Sequence, residues 1–185
     1  LLEAIEARLE RQRLQEEHLQ HQLKQIRFEP DFSSPRPLVE KLGLTDPMPV
    51  QVESFPALLE GKHVYIQSPT GSGKTLAFLL PIYQVLDLSR DVTQVIIVAP
   101  THELALQTHR VSCDLAQHAG MAVRNVLLIG GTSMDRQIEK LKKKPQIVIG
   151  TPGRVQELAD KGKLKVKDVR VIVIDEADRL LAGDS

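Results

Sequence analysis

Residues 68–75 read Ser-Pro-Thr-Gly-Ser-Gly-Lys-Thr, between an apolar run at His63–Gln67 and a helical stretch that opens at Lys74. Strand, glycine-rich turn and helix in that order make a phosphate loop. Gly71 and Gly73 let the chain curl so that the N–H groups around Thr70, Ser72 and Gly73 face one point, and the helix dipole adds partial positive charge there. Lys74 adds a full charge suited to the β- and γ-phosphates of a nucleotide, and the Thr75 hydroxyl suits Mg²⁺. The general pattern begins with Gly where this chain has Ser68.

Working outward, short Val- and Ile-rich runs alternate with helical stretches. Strands are predicted at His63–Gln67, Gln94–Ala99, Asn125–Ile129, Gln146–Ile149 and Val171–Ile174. Helices are predicted near Gln51–Leu59, Lys74–Leu86, Glu103–His118, Ser133–Lys143 and Arg154–Asp160. Strands apolar on both faces and separated by helices imply an α/β fold, a parallel sheet covered on both sides. Such a sheet binds ligands at the carboxyl ends of its strands.

The last predicted strand, Val171–Ile174, runs into Asp175-Glu-Ala-Asp178. A carboxylate at a strand end is what a phosphate loop needs beside it, because Mg²⁺ wants a hard oxygen ligand opposite Thr75. Asp175 fits that role. Glu176, next in line, suits orienting and deprotonating an attacking water.

With Asp-Glu-Ala-Asp after that strand and Thr-Gly-Ser-Gly-Lys-Thr upstream, the chain resembles the first RecA-like domain of a DEAD-box RNA helicase, over roughly residues 28–185. The stretch Gly43–Gln51 (GLTDPMPVQ) resembles the family's adenine-reading motif, with Leu44 and Met48 in place of the usual aromatic and Thr. That likeness makes Gln51 the adenine reader, since a carboxamide both donates and accepts. An upstream aromatic that stacks on adenine is implied as well, Phe28 or alternatively Phe32. Pro100-Thr-His-Glu-Leu-Ala105 resembles the motif PTRELA, with His102 where most members carry Arg. Gly130-Gly131 and Thr151-Pro-Gly-Arg154 resemble two further motifs. In the family these loops hold the sugar-phosphate backbone of RNA, so the resemblance implies RNA contacts at Pro100, Thr101, Gly130, Gly131, Thr151, Pro152, Gly153 and Arg154. It implies ATP and Mg²⁺ as cofactors and RNA, single-stranded or structured, as partner. Asp178 is implied to couple to a later Ser-Ala-Thr motif.

Residues 1–27 lack Gly and Pro, and Leu2, Ile5, Leu9, Leu19, Leu23 and Ile26 keep heptad spacing, with Gln12 and Glu16 filling the seam between. A long N-terminal amphipathic helix is expected, which packs on its own domain or pairs with a protein partner or a second copy. Residues 28–37, with three prolines from Pro30 to Pro37, read as a linker, and 38–185 as the RecA-like domain.

Composition narrows the classes further. Lys+Arg and Asp+Glu are each 24, so the chain is no wholesale polycation. Yet 11 Lys and Arg stand against four Asp and Glu between Arg136 and Arg170, a local excess that either binds a polyanion or solvates helix ends. Cys113 stands alone, which excludes an internal disulfide and a zinc site built from cysteine pairs. The six histidines are scattered and suggest no metal site. No apolar run approaches the roughly 18 residues of a membrane span, and a cytoplasmic protein is expected.

The chain opens on Leu1 and stops seven residues after Asp178, so a piece of a longer polypeptide is expected. Family members continue into a second RecA-like domain that supplies arginine fingers, worth on the order of 10³–10⁵ in rate in comparable enzymes. Residues 1–185 are therefore expected to bind adenine nucleotide and RNA weakly, hydrolyse ATP negligibly and unwind nothing alone. Two alternatives remain: a DNA-directed phosphate-loop ATPase, and a nucleotide-binding adaptor that recruits through residues 1–27.

Overall fold

The computed structural model describes residues 48–68 and 73–181. The expected helix at 1–27, the linker, Phe28, Phe32 and Thr70, Gly71 and Ser72 lie outside the described residues. In chain order the elements are α1 (Pro49–Leu59), α2 (Lys74–Val85), β1 (Val95–Val98), α3 (His102–Ala119), β2 (Asn125–Leu128), α4 (Met134–Leu141), β3 (Ile147–Gly150), α5 (Pro152–Asp160), β4 (Val171–Ile174) and α6 (Ala177–Leu181). All ladders are parallel, in the order β2-β3-β1-β4.

Side chains of a strand alternate between faces, and here both faces are apolar. Val95, Ile97, Ile147 and Ile149 point to one side, where Phe78, Leu79 and Tyr83 of α2 and Leu115 of α3 cover them. Ile96, Val148, Val126 and Leu128 point to the other, under Leu141 of α4 and Val155 and Leu158 of α5. The expected two-sided covering of a parallel sheet is therefore present over β1, β2 and β3, whereas Ile172 of β4 is exposed on one face. Each fully buried aliphatic side chain contributes about 1.5–3 kcal/mol. A polar knot joins three elements inside the first core. Tyr83 Oη donates to the Ser112 carbonyl (2.6 Å), Ser112 Oγ donates to Asn125 Oδ1 (2.7 Å), and Asn125 Nδ2 donates back to Tyr83 Oη (3.2 Å).

One expected element differs. Residues 63–67 do not join the four-stranded sheet. Exposure alternates along them, with Val64 and Ile66 half-buried and Tyr65 and Gln67 exposed, so the period-two pattern was real. Alternation specifies which side a residue faces; a ladder also requires an adjacent strand in register, and that information lies elsewhere in the chain.

The close approach of β3 to β2 demands a glycine at its end. A Cβ on Gly150 would lie 2.2 Å from the Leu128 carbonyl oxygen and 2.9 Å from Val155 Cγ2. Gly150→Ala is expected to lower stability by about 1–3 kcal/mol, the range for overpacking. Gly153→Ala, whose Cβ meets nothing within 4 Å, should cost nothing. Urea unfolding of the two variants checks this, and equal midpoints would contradict the close packing at Gly150.

Candidate functional site

The parallel register brings every strand to a stop at one level. Val98 pairs with both Gly150 and Ile174, and Gly150 with Leu128. Three bonds carry the ladder one residue further: Asp175 N to Val98 O (2.8 Å), Ala99 N to Gly150 O (3.0 Å) and Thr151 N to Leu128 O (3.0 Å). The loops after the strands therefore form one rim in the order Gly130-Gly131, Thr151–Arg154, Pro100–His102, Asp175–Asp178.

On the first part of that rim, Thr101 caps α3, its Oγ1 accepting from Leu104 N at 3.2 Å, while its side chain stays exposed. Thr151 caps α5 and is buried, with Pro152 in the first turn. Gly131 takes a φ of +69°, an angle that favours glycine. His102 closes against Gly130; its Nε2 lies 3.4 Å from where a Gly130 Cβ would sit. Arg154 is half-buried and held by protein partners: Nη1 donates to the Thr132 carbonyl (3.3 Å) and Nε pairs with Glu157 Oε2 (3.2 Å). Glu157 also pairs with Lys161 (2.8 Å), and that hydrogen bond, followed by the charges of Lys161 and Arg154, keeps its carboxyl below the usual range.

Gln137 belongs to this rim although the motifs do not mark it. Its Nε2 donates to the Ile129 carbonyl (2.9 Å) and contacts Thr132 Oγ1, pinning the loop of Gly130 and Gly131 from beneath. Its Oε1 is buried without a hydrogen-bond partner. A signal existed in the sequence, because Gln137 shares a helix face with Met134, Ile138 and Leu141, a polar residue on an apolar stripe.

At the other end of the rim, Gly73 caps α2 with a φ of +85°. Gln51 is buried against it: Nε2 donates to the Gly73 carbonyl (3.2 Å), and Oε1 accepts from Met48 N (3.1 Å) at the start of α1. A Cβ on Gly73 would fall 2.6 Å from Gln51 Nε2 and 2.7 Å from Met48 Sδ. The motif at the start of α1 and the phosphate loop are thus in direct contact, 22 residues apart in sequence.

Lys74 and Thr75 open α2 half-buried. Burial, and then the charge of Glu176, push the Asp175 carboxyl above its ordinary value, and Lys74 partly offsets this. Glu176 holds a φ of +47°, a left-handed conformation that costs a non-glycine residue about 1–2 kcal/mol. Its Oε2 is paired with Arg179 Nη1 at 2.9 Å. Asp178 is exposed on α6. A strained acidic pair at a strand end, facing a lysine at a helix start, is a site for a polyanion accompanied by a cation.

These features define a nucleotide-binding α/β class, and the comparisons with known proteins narrow it. The DEAD/DEAH box helicase family model matches residues 48–185, and the chain belongs to that family. It is 42% identical over 142 residues to the DEAD-box ATP-dependent RNA helicase CshC of Bacillus cereus, covering 77% of this chain and 36% of the relative. It is 44% identical over 139 residues to the probable ATP-dependent RNA helicase YfmL of Bacillus subtilis, covering 75% and 36%. The chain thus spans about a third of the length of the curated relatives it matches. Among solved structures, a DEAD box protein from Methanococcus jannaschii superposes with a TM-score of 0.72 at 28% identity, over 86% of this chain and 42% of the other. A hypothetical ATP-dependent RNA helicase from Sulfolobus tokodaii gives 0.69 at 27% identity, over 82% and 43%. The RecA-like reading of the fold agrees with both.

The raised Asp175 carboxyl has a consequence for stability. A group that binds its proton more tightly when folded contributes stability below its unfolded value of 3.8, lost as pH rises through the raised folded value. Asp175→Asn should therefore be more stable than the parent near neutral pH, with the gain fading as acidification protonates Asp175. Thermal melts across that range check the sign, and a less stable variant at neutral pH would contradict it.

Proposed function

We propose that this chain is the nucleotide-binding domain of an ATP-dependent RNA helicase, which hydrolyses ATP to remodel or locally unwind RNA between itself and a second RecA-like domain. The observation that carries the reading is the single rim, where the phosphate-loop lysine and the Asp175–Glu176 pair stand at one end and three backbone-rich loops at the other. In this reading residues 38–185 are the domain, and 1–27 recruit a partner or a second copy.

On the nucleotide side, the N–H groups from Thr70 through Gly73 cradle phosphate, and Lys74 neutralises the terminal phosphates. Thr75 and Asp175 fit Mg²⁺: burial leaves the Asp175 carboxylate short of compensating charge, which a hard divalent cation supplies. Bound there, the ion screens phosphate charge during transfer. Glu176 orients the attacking water and accepts its proton; releasing Arg179 is the step that frees Oε2 for this. Gln51 reads adenine, which requires its carboxamide to exchange the Met48 and Gly73 contacts for base edges, and Phe28 stacks on the ring.

On the RNA side, Pro100, Thr101, Gly130, Gly131, Thr151, Pro152 and Gly153 offer hydroxyls and backbone at the rim. Arg154 meets phosphate once it leaves Glu157. Such contacts are blind to base sequence. Asp178, exposed on α6, couples to a later Ser-Ala-Thr motif that links hydrolysis to RNA binding. In this reading the domain works in the cytoplasm. Hydrolysis by the 185 residues alone should be negligible, because in the family the transition-state arginines come from the second domain.

Fluorescent ADP and GDP titrations with Mg²⁺, on the chain and on Gln51→Ala and Lys74→Ala, test the nucleotide half. ADP should be preferred, the preference should collapse in Gln51→Ala, and both nucleotides should be lost in Lys74→Ala. Equal binding of the two nucleotides by the parent would remove Gln51 as the adenine reader. RNA and DNA strands of one sequence, titrated in parallel, test the other half. A clear RNA preference supports 2′-OH contacts, and indifference would favour a DNA-directed relative.

A further inference from the structure

A groove of about 530 Å³ lies at the opposite end of the sheet, formed by residues 91–93 before β1, 141–144 after α4 and 163–168 before β4. Because the strands are parallel, this is the amino-end rim. A four-residue strand, at about 3.3 Å per residue, sets it on the order of 13 Å from the nucleotide side.

The floor is aliphatic, made by Val92, Leu141, Leu164 and Val166. Leu141 and Leu164 are buried, whereas Val166 is 51% exposed. Around that floor stand Lys144, Lys163, Lys165 and Lys167, all exposed. The two carboxylates on the groove are already committed: Asp168 pairs with Arg90 (2.7 Å) and Asp91 with Arg124 (2.5 Å). None of the four lysines has a carboxylate partner among the described residues. The groove therefore carries uncompensated positive charge over an apolar base.

Its walls are fastened before anything binds. Arg124 donates to the Lys144 carbonyl through Nε (3.3 Å) and Nη2 (3.0 Å), Thr93 Oγ1 donates to the Pro145 carbonyl (2.9 Å), and the Lys163 and Leu164 N–H groups both return to the Leu158 carbonyl (2.9 Å). A prebuilt groove spares the ordering cost of binding.

We propose that this groove docks a short acidic segment of a partner protein that carries one aliphatic side chain between carboxylates. The aliphatic residue covers Val166 and the floor, and the flanking carboxylates meet the lysines. The same lysines would attract RNA phosphate, but no aromatic ring lines the groove for a base to stack on, and a phosphate backbone would leave the aliphatic floor in water. Its place on the far rim lets the groove be filled while the nucleotide side is occupied. The inference does not depend on the helicase reading.

Fluorescence anisotropy with a labelled Glu-Asp-Leu-Asp-Glu peptide tests it on the full chain. The peptide should bind, more weakly as salt rises, and the version with Ser for Leu should bind less well. Lys163→Glu/Lys165→Glu/Lys167→Glu should weaken binding about tenfold or more, the sum of three modest charge contacts. Val166→Asp, at an exposed position, should weaken it as well. ADP affinity serves as the folding control and should stay unchanged in both. Should a variant fail that control, amide shift changes on titrating the parent decide, supporting the proposal if confined to 91–93, 141–144 and 163–168. Binding insensitive to both variants, shifts elsewhere, or displacement of the peptide by oligouridine at equal or lower concentration would overturn it, the last in favour of an RNA contact.

Discussion

Everything at the working rim depends on in-register parallel pairing about β1. Four residues per strand, aligned residue against residue, deliver Val98, Leu128, Gly150 and Ile174 to one level. Bonds from Asp175, Ala99 and Thr151 then extend the ladder into the loops themselves. A slip of one residue in any strand would exchange its two faces, putting Ile97 where Ile96 belongs, and both cores would oppose it. The apolar faces thus set the height of the loops, and the loops inherit a precision they could not supply for themselves.

A second theme is that the chemically competent side chains are held by protein partners. Gln51 bonds to Gly73 and Met48, Arg154 to Glu157 and Thr132, and Glu176 to Arg179. In the proposed reading each of these is a bond that a ligand displaces, so affinity is the difference between two sets of contacts rather than the strength of one. The ion pairs of Arg154 with Glu157 and of Glu176 with Arg179 span three residues each, and local helix geometry favours them. The bonds of Gln51 to Gly73 and of Arg154 to Thr132 are different, for each ties together segments 22 residues apart.

The sequence made much of this legible, and the reasons are particular. The doubly apolar strands at 95–98 and 147–150 stood out because both faces are buried, and the helical stretches between strands stood out by contrast, although their starts at His102 and Pro152 precede the expected ones by one and two residues. Lys74, Thr75 and Asp175 could be singled out because phosphate and metal chemistry restrict residue type at fixed spacing, and the structure sets the first two at a helix start and the third at a strand end. Residues 63–67 were misassigned to the sheet because alternation cannot name a neighbour. Gln137 stood out only as a polar residue on an apolar stripe, and neither that nor the motif around Gln51 names the backbone carbonyls of Ile129 and Gly73 that the two side chains reach. The lysine cluster was visible as charge, but the groove needed three distant segments to be brought together.

Strand β4 also bears on handling. It forms one margin of the described sheet, reads Val-Ile-Val-Ile, and leaves Ile172 64% exposed. Natural margins are blunted with lysine, proline or a bulge, and β4 itself has none of these. Among the described residues no further strand pairs with its outer side, and its bare isoleucine is apolar surface of the kind that strands of other molecules cover. A charge introduced at Ile172 would remove that apolar surface without altering a residue of the rim.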